Sequence, residues 1–88
     1  AGLKPDLAKE KLVDAALAYM RIPVLFPNDK NTEPQALFKA GTCFEMLAKY
    51  PDRKSDRDRA TQLYNMVVQR YKATRWGADA QASLKKLK

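Results

Sequence analysis

Apolar and small residues recur along this chain at i, i+3, i+4 and i+7, the period of an amphipathic helix. The clearest run is Pro34–Tyr50, where Ala36, Leu37, Ala40, Gly41, Cys43, Phe44 and Leu47 share one face. Gly41 sits in mid-helix, where glycine costs about 1 kcal/mol relative to alanine. Its presence there implies the close approach of another backbone. Thr32-Glu-Pro-Gln35 has the form of a capping box, the Thr32 hydroxyl accepting from the Gln35 amide and Gln35 reaching back. Pro34 falls in the first turn, where its missing donor does no harm.

The same period predicts three further helices. The first starts at Asp6 as N-cap, with Leu12, Ala15, Ala16, Tyr19, Met20 and Ile22 inward and Glu10 and Asp14 outward. Pro23 cannot donate to the Tyr19 carbonyl and clashes there, which predicts a kink or an early stop. Val24, Leu25 and Phe26 are expected to be buried ahead of the turn Pro27-Asn28-Asp29. The second helix is expected to end near Tyr50, before a polar loop over Asp52–Ser55. Ser55 caps the third helix, with Asp58 completing a second capping box and Leu63, Tyr64, Val67, Val68 and Tyr71 on its apolar face. The fourth covers Trp76–Leu87 and packs through Ala78, Ala80, Leu84 and Leu87. Few residues are β-branched and good helix formers abound, so the expected class is all-α.

The predicted helices are not independent of one another. Ala15-x3-Tyr19-x2-Ile22-x3-Phe26 matches Ala60-x3-Tyr64-x2-Val67-x3-Tyr71 at a shift of 45 residues. Ala36-x3-Ala40 matches Ala80-x3-Leu84 at a shift of 44. Helices one and three are therefore one kind and helices two and four another, in the order B, A, B, A.

Leu37-x2-Ala40-Gly41-x2-Phe44 followed by Ala60-x3-Tyr64-x2-Val67 resembles the tetratricopeptide repeat. The resemblance covers most of the chain as one complete repeat flanked by half repeats. It departs from the family at Leu37 and Ala40, and by about seven extra residues between Gly41 and Ala60. The segments Leu25–Asp29 and Tyr71–Trp76 are similar to its bacterial cell-envelope branch, which includes Tol–Pal coordinators and outer-membrane assembly lipoproteins. That branch implies a periplasmic or envelope setting, with the cytoplasm as the alternative. The resemblance implies a right-handed stack of four antiparallel helices, an α-solenoid of about two repeats. Roughly three repeats are usually needed for stability, and this chain opens on a B helix without its A partner. A fragment of a longer repeat protein, or a homo-oligomer formed through the first helix, is expected.

Stacked A helices in that family line a concave surface that takes a peptide or helix from a partner. Carried over, this face is Gln35, Phe38, Thr42 and Glu45, with Lys39 beside them and Lys86 from helix four. Phe38 lies off the stripe through Leu37, Ala40 and Phe44. It is either an exposed aromatic on the recognition face or a packing residue beneath helix four. Trp76 is either a partner anchor or a staple onto Val68 or Tyr71 of helix three.

Charge adds a rival. The net charge of +7 lies wholly in residues 49–88, which hold eleven basic and four acidic residues. Arg70, Tyr71, Lys72, Arg75 and Trp76 interleave basic and aromatic side chains, so binding of nucleic acid or an acidic partner is the alternative, without a recognised motif behind it. A structural or dimerisation appendage of a larger enzyme is the other. Chemistry itself is scarce. The chain has no histidine and one cysteine, no glycine-rich phosphate loop and no nucleophile elbow. We expect no catalytic, cofactor or metal residues, no membrane span, and Cys43 as a small buried hydrophobe.

Overall fold

The computed structural model describes residues 7–87; the expected N-cap Asp6 and the terminal Lys88 lie outside the described residues. Four α-helices follow one another without any strand among the described residues: α1 Leu7–Leu25, α2 Glu33–Leu47, α3 Asp56–Arg70 and α4 Arg75–Leu87. Each packs on the next, and α2 also touches α4. Lys9 at the start of α1 pairs with Asp52 just past the end of α2. Glu33 at the start of α2 pairs with Arg70 at the end of α3. Neighbouring helices are therefore antiparallel, and the fold is a helix-hairpin stack.

The core is centred on α2. All seven of its predicted apolar positions are buried, and Tyr64, Leu37, Leu47 and Val67 are among the largest side chains wholly removed from solvent. A fully buried side chain of this size contributes about 1.5–3 kcal/mol. From α4, Ala80 is fully buried and Leu84 and Leu87 pack against the core, but Ala78 faces solvent.

The helix ends differ from expectation. Neither Thr32 nor Ser55 makes a side-chain cap. Both have helical backbone, which turns the hydroxyl away from the amides that a capping side chain serves. At α3 the neighbouring Asp56 is buried instead and accepts from Arg53 Nε at 2.7 Å. Pro23 does not stop α1. Its lost bond falls in the last turn, and Phe26 N–H donates to Ile22 O at 2.8 Å immediately after it. The second helix stops at Leu47 rather than Tyr50. Pro51 forces Tyr50 into extended backbone (ψ 136°) and opens a 3-10 turn over Pro51–Arg53.

The largest correction concerns Val24, Leu25 and Phe26. Val24 is 80% exposed and Leu25 67%, and Phe26 is exposed too. Met20, placed on the inner face, is also exposed. Among the described residues only α2 packs substantially on α1, and none covers the face of α1 turned away from α2.

The glycines also trade roles. At Gly41 a Cβ would lie 2.8 Å from Tyr64 Cε1, so the close neighbour is a ring and not a backbone. At Gly77 a Cβ would meet Tyr71 O at 2.3 Å, and here the neighbour is indeed main chain. Gly77 N–H donates to Thr74 Oγ1 at 3.2 Å, which closes the α3–α4 turn.

Candidate interaction surfaces

The six residues placed on the A-helix face do not form one surface. Phe38, Thr42 and Glu45 gather around Tyr64. The Phe38 ring lies 5.5 Å from Tyr64 and 5.6 Å from Trp76, both tilted, and it is only partly exposed. Of its two sequence readings, packing beneath α4 is the observed one. Trp76 reaches across to Phe38 on α2, and the Arg75 guanidinium lies 5.6 Å from its ring. The Tyr64 hydroxyl donates to Glu45 Oε1 at 2.9 Å and reaches Thr42 Oγ1 at 3.3 Å. Thr42 in turn donates to Phe38 O at 3.1 Å. Burial, reinforced by the Glu45 charge, pushes the Tyr64 hydroxyl up to about 12, so it stays a neutral donor.

Gln35 and Lys39 instead face α1. With Tyr19, Ile22, Thr32 and Ala36 they line a cleft of about 150 Å³ between α1 and α2, and Lys39 Nζ sits 5.9 Å from the Tyr19 ring. Thr32 Oγ1 is buried there and has no hydrogen-bond partner among the described residues. Lys86 is exposed on the last turn of α4, on a different helix from the other five.

Glu33 emerges only from the folded chain. It is buried and holds three elements together. Asn28 N–H donates to Oε2 at 2.7 Å, and Arg70 Nη1 donates to Oε1 at 2.9 Å. Asn28 adopts φ 61°, a left-handed conformation that asparagine tolerates better than most residues. Burial raises the Glu33 carboxyl, but hydrogen bonds from Asn28, Arg70 and Tyr71 and the charge of Arg70 outweigh it and hold the group below its ordinary 4.5. Its partner Arg70 lies 37 residues away, too far for any local pattern to reveal.

The most conspicuous unfilled surface is on α1. Leu17, Met20, Arg21, Val24 and Leu25 line an apolar cleft of about 320 Å³. Their spacing is that of one helix face. Through Met20 this surface continues into a second apolar cleft lined by Phe44, Leu63 and Met66, with Arg59 at its edge. The sequence signal for this second face was the spacing of Leu17, Met20 and Val24 at steps of three and four, hidden because Met20 also fits the inner face and Val24 read as buried.

Part of the basic half is engaged within the fold. Arg70 is bound to Glu33, Arg53 to Asp56 and Trp76 to Phe38, while Arg75 lies 3.8 Å from Asp79. Of the basic and aromatic side chains that suggested nucleic-acid binding, Arg70 and Trp76 are engaged within the fold, while Lys72 and Arg75 are exposed. Cys43 is buried, and burial pushes its thiol up, away from thiolate reactivity. Among the described residues no cluster of His, Cys, Asp or Glu could hold a metal ion, and no helix is long and apolar enough to cross a membrane. No protein-family model, curated protein or solved structure gives a significant match to this chain.

Proposed function

We propose that this chain is a non-catalytic interaction module of the tetratricopeptide-repeat type, a scaffold that docks helices or helical peptides of other protein surfaces. The observation that carries the reading is the apolar stripe left uncovered on α1. An exposed contiguous patch of large aliphatic side chains on an otherwise well-packed domain marks a protein-binding surface, and a helix with two apolar faces is built to sit between helices. The repeat resemblance supports the same reading and adds the cell envelope as its setting.

Selection of a displayed library of helical peptides on the chain tests this. Peptides with an apolar stripe should be enriched, and Leu17→Glu should abolish their binding without loss of helix content. Equal enrichment on wild type and variant removes the α1 surface from the proposal.

The part of the A-helix face around Phe38 and Trp76 is a second docking surface, favoured by one contact. The Phe38 and Trp76 rings touch across α2 and α4 and stay partly exposed. A ligand seated there would change the emission of the sole tryptophan. Peptides that bind with unchanged Trp76 emission place the site elsewhere.

A further inference from the structure

We infer that the groove between α1 and α3 takes an acidic amphipathic helix of another protein, with its apolar stripe on the groove floor and carboxylates along both edges of that stripe. This inference rests on the reading of α1 as a docking helix and names the chemistry of what docks there.

The groove follows from the stacking order. α1 and α3 both run antiparallel to α2, so they run parallel to each other, and among the described residues they scarcely touch. Leu17, Met20 and Val24 of α1 stand on one side of the gap, Leu63 and Met66 of α3 on the other, and Phe44 of α2 lies between them. The cleft on the α1 side measures about 320 Å³ and the one on the α3 side about 290 Å³, and Met20 lines both. A continuous apolar floor along two parallel helices suits one more helix laid against it.

The edges of this floor carry charge of one sign. Arg21 and Arg59 are the charged side chains that line the two clefts, and among the described residues no carboxylate lines either. Arg21 is turned about 100° from Met20 around α1, which puts it beyond Leu17 and Val24, on the outer edge of the stripe. Arg59 follows the α3 side and holds its guanidinium 5.8 Å from the Phe44 ring. Neither cation is fully neutralised. Arg21 enters no ion pair among the described residues. Arg59 lies 3.9 Å from Asp56 Oδ1, but Asp56 also accepts from Arg53 at 2.7 Å, and the Arg59 side chain stays 64% exposed. The acids of α1, Glu10 and Asp14, come before the stripe begins at Leu17 and line neither cleft.

An occupant therefore meets a cation on each side of an apolar floor. A helix with carboxylates flanking its stripe forms an ion pair at both edges, whereas one with lysines there meets like charge at both. The longer-range field acts in the same sense. The +7 surplus lies in residues 49–88, which include α3. It draws an acidic partner toward the groove and opposes the approach of a second copy of this chain.

Fluorescence anisotropy with three labelled helical peptides tests the inference. The peptides share one apolar stripe and differ only in its flanking residues, which are Glu, Gln or Lys. At low salt the wild type should bind the Glu peptide about tenfold more tightly than the Lys peptide, with the Gln peptide between. The difference should shrink as salt is raised to about 0.5 M. Arg21→Glu and Arg59→Glu should each reduce the preference for Glu about threefold, and the double variant should prefer Lys. Both sites are exposed, and circular dichroism checks that helix content is kept. Arg59→Gln serves as a companion variant, since a carboxylate at 59 would stand near Asp56, and it should lower the preference too. Equal binding of the three peptides by wild type overturns the acidic partner and leaves the docking reading standing. A preference that responds to Arg21 but not to either Arg59 variant overturns the groove between α1 and α3. Self-association that excludes the Glu peptide gives the groove to a second copy and also overturns the inference. Dissociation constants above about 1 mM for all three peptides sink the docking reading with it.

Discussion

Helices α1 and α3 carry matching side chains in opposite circumstances. Ala60, Tyr64 and Val67 of α3 are fully buried between α2 and α4, whereas their counterparts Ala15, Tyr19 and Ile22 are only partly covered. Phe26, matched to Tyr71, is 55% exposed. The residues that define a repeat specify a helix able to pack on two sides, and the number of neighbours decides whether both sides are used. Stability should therefore be distributed unevenly, concentrated in α2 and α3 and thin in α1.

Substitutions at matched positions give this difference its sharpest test. Tyr64→Ala empties a wholly buried site and breaks the hydrogen bond to Glu45, so it should cost about 3–5 kcal/mol in urea unfolding. Tyr19→Ala should cost less than about 1.5 kcal/mol, in keeping with its partial burial. Equal losses would mean that α1 is held as tightly as α3.

Next in size is Gly41→Ala. The methyl would press on a Tyr64 ring that cannot swing away, and about 1–3 kcal/mol of overpacking should exceed the propensity gain of about 1 kcal/mol. A more stable variant would show that the ring can yield.

Glu33→Gln should cost about 1.5–3 kcal/mol by weakening charge-assisted hydrogen bonds that tie α2 to α3 and to the α1–α2 turn. Because the folded carboxyl lies below its ordinary 4.5, its contribution is complete above that pH. It is lost as the pH falls through the lower folded value. The wild type should thus lose stability on acidification where the Gln variant changes less. Parallel acid profiles would show that Glu33 is not the group responsible.

The smallest effect is expected at Thr32. With its hydroxyl buried and without a hydrogen-bond partner among the described residues, Thr32→Val should be neutral or stabilising by up to about 1 kcal/mol. A cap would instead lose about 1 kcal/mol, so the sign of the change in melting temperature separates the two.

The periodic pattern alone reveals the four helices and the buried faces of α2 and α3, because Leu37, Ala40, Phe44, Leu63, Tyr64 and Val67 are spaced for one continuous contact. It cannot reveal what a face packs against. Val24–Phe26 therefore read as buried, although they are exposed among the described residues. Capping was misread for a related reason. Thr32 and Ser55 are the right residue types, but Asp29 O already accepts from both Thr32 N–H and Glu33 N–H, and that tight turn fixes the entry to α2. Of the candidate site, the side chains on α2 were legible as a polar face. Their division between α1 and α4 depends on which neighbour each meets, as Lys39 over Tyr19 and Phe38 against Trp76 illustrate.

The contact between Trp76 and Phe38 has a consequence for how this protein would be observed melting. The only tryptophan reports on the junction of α2, α3 and α4, and its ring contacts among the described residues are with Phe38 and Arg75, not with α1. If α1 frays before the rest gives way, circular dichroism will register the loss while intrinsic fluorescence stays on its folded baseline. The two signals would then trace different curves, and their separation measures how far this chain departs from all-or-none unfolding.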